Sequence, residues 1–316
     1  MEQELALTFP LVPSRRFLGA SFGGFPGARR GGGSDVAGSR RYEPGDDIGS
    51  IDWRSTAKLS SATSSDTFVV REFFDDESPE VLVVYDRRPS MDLYPAGSPW
   101  LSKAAAERFA AMMIASSARV ERGIVGYLDY ADAAPIGSAV PTAPNWIPPR
   151  GLGALLHGDP WDEVGEYLAP EHSLELAIDY LVAAPRTLPR GSFVFVLSDF
   201  LAPPAAASWL ALAERAWDIV PVVIQDPLWE QSFPQLPSVV VPIADPTDGS
   251  VRSVRISGRD ARARRHTNEA RLAALLDELA DLDLDAVLIG DDDPIAIHAE
   301  FEAWADRRLA RLVQAL

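Results

Sequence analysis

The chain predicts an α/β protein built on a mostly parallel sheet covered by helices, and three observations carry that expectation. Short apolar runs rich in β-branched residues recur at Val81–Tyr85, Ile124–Tyr130, Phe193–Leu197, Ile219–Gln225 and Ala286–Ile289. Segments of helical character alternate with them, which is the pattern of right-handed βαβ units buried on both faces. Four of the runs are closed by a carboxylate, Asp86, Asp199, Asp226 or Asp291. In open parallel sheets the carboxyl ends of the strands are where ligands bind.

Each element has its own signal. Val81–Tyr85 is a buried strand that delivers Asp86, Arg87, Arg88, Pro89, Ser90 and Met91 to its end. Ser102 can cap a helix over Lys103–Arg122, with Phe109, Met112, Met113 and Val120 as an apolar stripe. Gly123 breaks it before the second strand, and 133–160 reads as a proline-rich loop too interrupted for regular structure. Leu174, Ala177, Ile178 and Leu181 stand at i, i+3, i+4, i+7 and mark a helix. Further helices are expected over Ala205–Trp217, Ala261–Leu282 and Pro294–Leu316, the last burying Ile297, Phe301, Trp304 and Leu312. Val239–Ile243 and Val251–Ile256, joined through Asp248-Gly249, read as a β-hairpin insertion at about 237–257.

The first 79 residues form an N-terminal extension before the main domain, 80–316. Gly19–Gly33 is glycine-rich and reads as a flexible loop; no Lys-Ser/Thr follows to make it a phosphate cradle. After it comes Arg40-Arg41-Tyr42-Glu43-Pro44-Gly45-Asp46-Asp47-Ile48-Gly49-Ser50-Ile51-Asp52-Trp53-Arg54. Pro-Gly-Asp is strong turn chemistry, and Arg41 and Arg54 flank three carboxylates they can pair with. Phe68–Phe74 then reads as a strand.

Composition bounds the function. Cysteine is absent, so disulfides, thiol nucleophiles and thiolate metal sites are excluded. The formal net charge of −17 argues against a nucleic-acid binder. The arginines are clustered, however, at Arg15, Arg16, Arg29, Arg30, Arg40 and Arg41 and again at Arg262, Arg264 and Arg265, as a solvated surface or a patch for an acidic protein. No apolar run is long enough to span a membrane and the opening residues lack a signal-peptide pattern, so a cytoplasmic location is expected; peripheral membrane association stays open. None of His157, His172, His266 and His298 sits in a triad-like pattern, and each is expected on the surface or in a loop.

RRYEPGDDIGSIDWRSTAKL is similar to the signature of a bacterial family called domain of unknown function 58. The match runs through Arg40 or Arg41, Tyr42, Pro44, Gly45, Asp46, Asp47, Ile51, Asp52, Trp53 and Ala57. VREFFDDESPEVLVVYDRRPSM continues it into a turn resembling that of von Willebrand factor A domains. The resemblance implies a von Willebrand A-like (Rossmann-like) sheet. It also implies a non-catalytic adaptor, partner to a MoxR-type AAA+ ATPase in chaperone-like assembly or stress response.

The resemblance also implies a place for Mg²⁺, whose ligands in von Willebrand A domains are Asp-x-Ser-x-Ser, a threonine from a later loop and a distal Asp. Asp86 and Ser90 match the outer positions, Ser173 stands in for the threonine and Asp199 for the distal carboxylate. Arg88 replaces the middle serine. A guanidinium cannot ligate a metal, so the expectation is a degenerate site in which Arg88 pairs with Asp86 or Asp199 and no cofactor is held. Ser90 and Ser173 would then serve as helix caps. Two readings of the first motif stay open: a partner-facing acidic hook, or turns fixed by Asp46, Asp47 and Asp52 with Trp53 packed on the core. The alternative function is metal-dependent phosphoryl transfer with Asp86 as nucleophile, against which Arg88 removes the usual second carboxylate.

Overall fold

A computed structural model describes residues 7–14, 30–41, 51–63, 68–74, 79–93, 100–130, 144–149, 167–183, 188–189, 191–244 and 250–314. The chain forms two compact units, one of Arg15–Pro79 and one of Met1–Ser14 with Glu80–Leu316. The sequence divides the chain at 79/80; by contacts, residues 7–14 group with the larger unit.

In the smaller unit, β1 (Arg30–Arg41) pairs antiparallel with β2 (Val69–Phe74), and α1 (Trp53–Thr63) lies between them in sequence. Gly31–Gly33, expected in a flexible loop, therefore lie in a strand. Pairing with β2 supplies the ladder partners that composition alone does not reveal, and register shifts on both sides of Val36 absorb the irregularity. Helix α1 was not expected, because its serines and threonine favour caps and turns over helix interiors. Asp52 starts it: its Oδ1 accepts from the backbone N–H of Arg54 (3.1 Å) and Ser55 (3.2 Å).

The larger unit runs β3 (Glu80–Tyr85), α2 (Lys103–Val120), β4 (Ile124–Asp129), β5 (Asn145–Ile147), α3 (Ser173–Ala183), β6 (Phe193–Ser198), α4 (Ala206–Ala213), β7 (Asp218–Ile224), β8 (Ser238–Ala244), β9 (Val251–Ser257), α5 (Gly258–Asp281), β10 (Val287–Ile289) and α6 (Pro294–Gln314). Six strands form one sheet in the order β10-β7-β6-β3-β4-β5, parallel except for β5. Counted within that sheet, the order is 3-2-1-4-5-6, a doubly wound arrangement with its switch point between β3 and β6. The mostly parallel, helix-covered sheet and the hairpin insertion β8–β9 are as expected. Edge strand β5 is a correction, since 133–160 was read as irregular. Three residues are too short to show a period, and β5 fits against β4 only because Gly126 has no side chain. A Cβ there would stand 2.8 Å from the Ile147 carbonyl oxygen and 2.5 Å from Pro149 Cδ.

Every residue of β3, β6 and β7 is buried, as strands covered on both faces require. Leu82, Val84, Val194 and Val196 pack with Leu174, Ile178 and Leu181 of α3 and with Trp209 of α4. On the opposite face Phe195 meets Phe301 and Trp304 of α6. Phe9 stacks on Phe301 at 4.4 Å between ring centres, which is how the N-terminal segment joins the core. His298, expected on the surface, lies on α6 and its Nε2 is 2.7 Å from the Thr8 carbonyl. The buried face of α2 is also not the expected stripe: Val120 is exposed, and Ala106, Ala110, Met113, Ile114 and Ser117 face inward with Lys103 and Glu107. Small side chains let α2 approach the sheet, so of the four expected residues only Met113 is fully buried. The stripe on α6 continues from Trp304 to Arg308, which is buried and donates to Asp218 (3.0 Å) and the Val12 carbonyl (2.9 Å), while Leu312 is only half-buried.

Candidate functional site

The ends of β3 and β6 bring together Asp86, Arg88, Ser198 and Asp199, all buried. Asp86 follows Tyr85 directly, and its backbone turns so that the Arg88 N–H donates to Asp86 Oδ1 at 2.9 Å. The Arg88 side chain folds back on the same carboxylate. Nε lies 3.0 and 2.9 Å from the two oxygens and Nη2 2.6 Å from Oδ2. Nη2 also reaches Ser198 Oγ at 2.8 Å and Asp199 Oδ1 at 3.4 Å, and Nη1 donates to the Ala202 carbonyl at 3.0 Å. Ser198 Oγ in turn donates to Asp86 Oδ2 at 2.7 Å. Burial pulls the Arg88 pKa down, but Asp86 and Asp199 outweigh it and the net direction is up.

A second cation continues the chain. Lys103 Nζ, fully buried at the start of α2, lies 2.9 Å from Asp199 Oδ2 and 2.6 Å from Glu230 Oε1. Asp86, Arg88, Asp199, Lys103 and Glu230 thus alternate in sign across the switch point. The two carboxylates on Lys103 respond differently. Burial would raise the Asp199 pKa, but Lys103 and Arg88 together hold it below its usual value. Glu230 has Lys103 alone and feels Asp199 as a like charge, so burial wins and its pKa rises. Just beyond Asp199, Phe200 has φ +46°, an unusual value for a bulky residue, held by its N–H to Ser198 Oγ (2.9 Å) and by its ring against Trp209 (5.9 Å).

A fourth buried acid lies beneath. Glu107 Oε1 accepts from the Asp86 N–H at 2.9 Å, and Oε2 lies 3.2 Å from the Tyr167 hydroxyl. Burial, and then the Asp86 carboxylate, push the Glu107 pKa well above the carboxylate range against the pull of Arg87. The folded protein therefore holds a proton that the unfolded chain has released above about pH 4.3, and Glu107 makes stability fall as pH rises from there until it ionises in the fold. Replacing Glu107 by Gln mimics the neutral acid. Denaturant melts at rising pH above about 4.3 are expected to show wild type losing stability relative to Glu107→Gln. Parallel curves for the two proteins would overturn this protonation.

Of the other sequence candidates, Ser90 lies inside a short 3₁₀ helix, Pro89–Asp92, whose cap position is Arg88. Ser173 opens α3, but its buried Oγ has no hydrogen-bond partner. Neither serine is a side-chain cap, which corrects that expectation: Ser90 stands one residue inside its helix, and Ser173 Oγ makes no hydrogen bond among the described residues. Among the described residues, no group of three or more His, Asp or Glu side chains is arranged to hold a metal. Trp53 does not pack on the core. It is 64% exposed and meets Phe68, itself 42% exposed, edge to face at 6.2 Å. Its position as first residue of α1 turns it outward. Arg41 ends β1, while Tyr42, Pro44, Gly45, Asp46 and Asp47 lie outside the described residues, as do His157, Arg15, Arg16, Arg29 and the Asp248-Gly249 turn.

Sequence reasoning missed Lys103, Glu107, Ser198 and Glu230. The i, i+4 spacing of Lys103 and Glu107 among alanines was the one available signal, and it looks the same as a solvated helix pair.

The sheet and its switch point define a doubly wound α/β protein in which two strand-edge acids, Asp86 and Asp199, are paired with its own cations. Residues 38–274 match the family described as Protein of unknown function DUF58, and the chain belongs to that family. No curated protein matches it. A crystal structure of the conserved hypothetical protein BatB from Bacteroides thetaiotaomicron is similar at 15% identity, covering 72% of this chain and 99% of that one with a TM-score of 0.37. Likeness at that level carries no inference about function. No helix among the described residues is long and apolar enough to cross a membrane.

Proposed function

We propose that this protein is a non-catalytic interaction module and that its partner is a MoxR-type AAA+ ATPase, in chaperone-like assembly or stress response. The observation that carries the reading is Arg88: its guanidinium lies between Asp86 and Asp199, the two acids that the resemblance to von Willebrand A domains assigns to a Mg²⁺ site. Magnesium needs oxygen donors in open octahedral geometry. Here the Asp86 oxygens already accept from Arg88 and Ser198, and a fixed positive charge stands beside them. The donor set does not fit the ion. The same geometry weighs against phosphoryl transfer, because a nucleophilic Asp86 would have to be reached by substrate and it is fully buried. The exposed pair of Trp53, from the signature motif, and Phe68, beyond it, is the sort of aromatic anchor that interfaces use.

Affinity capture of the full chain from a strain expressing a MoxR-type ATPase is expected to retain that ATPase, and calorimetry is expected to show no saturable Mg²⁺ binding. Failure to retain the ATPase would remove the partner assignment. Tight Mg²⁺ binding, or hydrolysis of a generic phosphate ester that Asp86→Asn abolishes, would revive the enzymatic alternative.

A further inference from the structure

Between 251 and 266 the chain carries six arginines and one acid, Asp260, although the whole protein has a net charge of −17. The acid is already engaged, accepting from the Ser257 hydroxyl at 2.7 Å and the Ser257 N–H at 3.1 Å in a capping box at the start of α5. Arg265 is used internally, donating to the Phe233 carbonyl at 2.9 Å. Arg252, Arg255, Arg259, Arg262 and Arg264 are exposed, and among the described residues none of them forms an ion pair.

These arginines border a built depression rather than a flat surface. A cavity of about 280 Å³ is lined by Pro234, Leu236, Pro237, Ala261, Arg262 and Arg265, among others. Gly258 shapes it: its N–H donates to the Pro237 carbonyl at 2.9 Å, and a Cβ there would press on that oxygen at 3.1 Å. Ile256 is buried against Phe233 and Ala261, so the face of β9 bearing Ile256 looks toward α5. Strand alternation puts Val254 and Arg252 on that same face farther up the hairpin, both exposed. The hairpin is a sheet of two strands, so the outer edge of β9 is unpaired within it, and the strand contains no proline.

We propose that the β9–α5 face is a docking site for an extended acidic segment of a protein partner. Carboxylates of the segment pair with Arg252 and Arg262, and an apolar side chain enters the pocket against Pro234 and Leu236. The volume lies below the usual range for whole small-molecule ligands and suits a side chain. The surrounding excess of negative charge disfavours a long polyphosphate, whereas a short carboxylate segment feels mainly the arginines within a screening length. The inference rests on the interaction-module reading only in taking the occupant to be protein.

The test uses the full chain and a labelled peptide of glutamates around a central leucine, followed by fluorescence anisotropy, with duplex DNA as competitor. Wild type is expected to bind the peptide and to lose affinity with rising salt. Arg252→Glu with Arg262→Glu is expected to weaken binding by at least about tenfold while Arg252→Lys with Arg262→Lys retains it. Both sites are exposed, and unchanged melting of the variants checks the fold. The site is overturned if wild type does not bind the peptide, if charge reversal leaves affinity unchanged, or if duplex DNA binds as tightly as the peptide. No ATPase is present in the titration, so its outcome is separate from that of the capture experiment.

Discussion

Replacing Arg88 by alanine is expected to destabilise the protein by about 3–5 kcal/mol, the usual consequence of leaving a buried charge without its partner. The guanidinium is the only group that contacts Asp86, Ser198, Asp199 and the Ala202 carbonyl together, among the contacts resolved at the switch point. Its removal leaves the Asp86 carboxylate with the Ser198 hydroxyl and a backbone N–H but no positive charge beside it. Thermal unfolding is expected to fall by roughly 10 °C for a unit of this size. Adding Asp86→Asn should restore much of the loss, because the uncompensated charge is gone even though the hydrogen bonds are fewer. A double-mutant cycle therefore separates charge from packing. If Arg88→Ala melts within about 1 °C of wild type, Arg88 is not holding the edge of the sheet together.

Asp86 and Asp199 were legible because a buried strand with a carboxylate at its end is a pattern of local sequence. So was the oddity of Arg88, two residues from an acid in a turn that the fold must close. The other half of the charge chain was not legible. Lys103 stands 96 residues from Asp199 and 127 from Glu230, and only the packing of α2 across β3 and β7 brings them together. The same limit explains the fold. Long apolar strands announced themselves, whereas β5 is three residues whose pairing depends on Gly126 in another strand. Segment 7–14 reads as part of the N-terminal extension because its anchors, Phe301, Arg308 and His298, lie 290 or more residues away in sequence. Periodicity reads out what a segment does with water; it does not read out which distant acid will neutralise a lysine.

Lys103→Met is expected to cost as much as Arg88→Ala, about 3–5 kcal/mol, but with a different pH profile. Methionine fills much of the lysine volume, so the cost reports charge rather than cavity. Without Lys103, the Glu230 carboxylate has no ion-pair partner among the described residues and Asp199 keeps, of its cations there, only the longer contact to Arg88 at 3.4 Å. In wild type the lowered pKa of Asp199 contributes stability that is present above its unfolded pKa, about 3.9, and is lost as pH falls through the folded value. In the variant that contribution shrinks. Glu230, whose pKa is already raised by burial, is expected to rise further and to take up a proton as the solution is acidified. The gap between wild type and Lys103→Met should therefore be widest near neutral pH and narrow as pH falls toward about 5. Introducing Glu230→Gln into the variant should close most of the gap at neutral pH, because the side chain that lost its only cation is then neutral. Denaturant melts of the four proteins across that range decide the matter. A gap that is constant with pH, or that Glu230→Gln leaves unchanged, would mean that Lys103 acts through packing and that the alternating charges do not share one electrostatic unit.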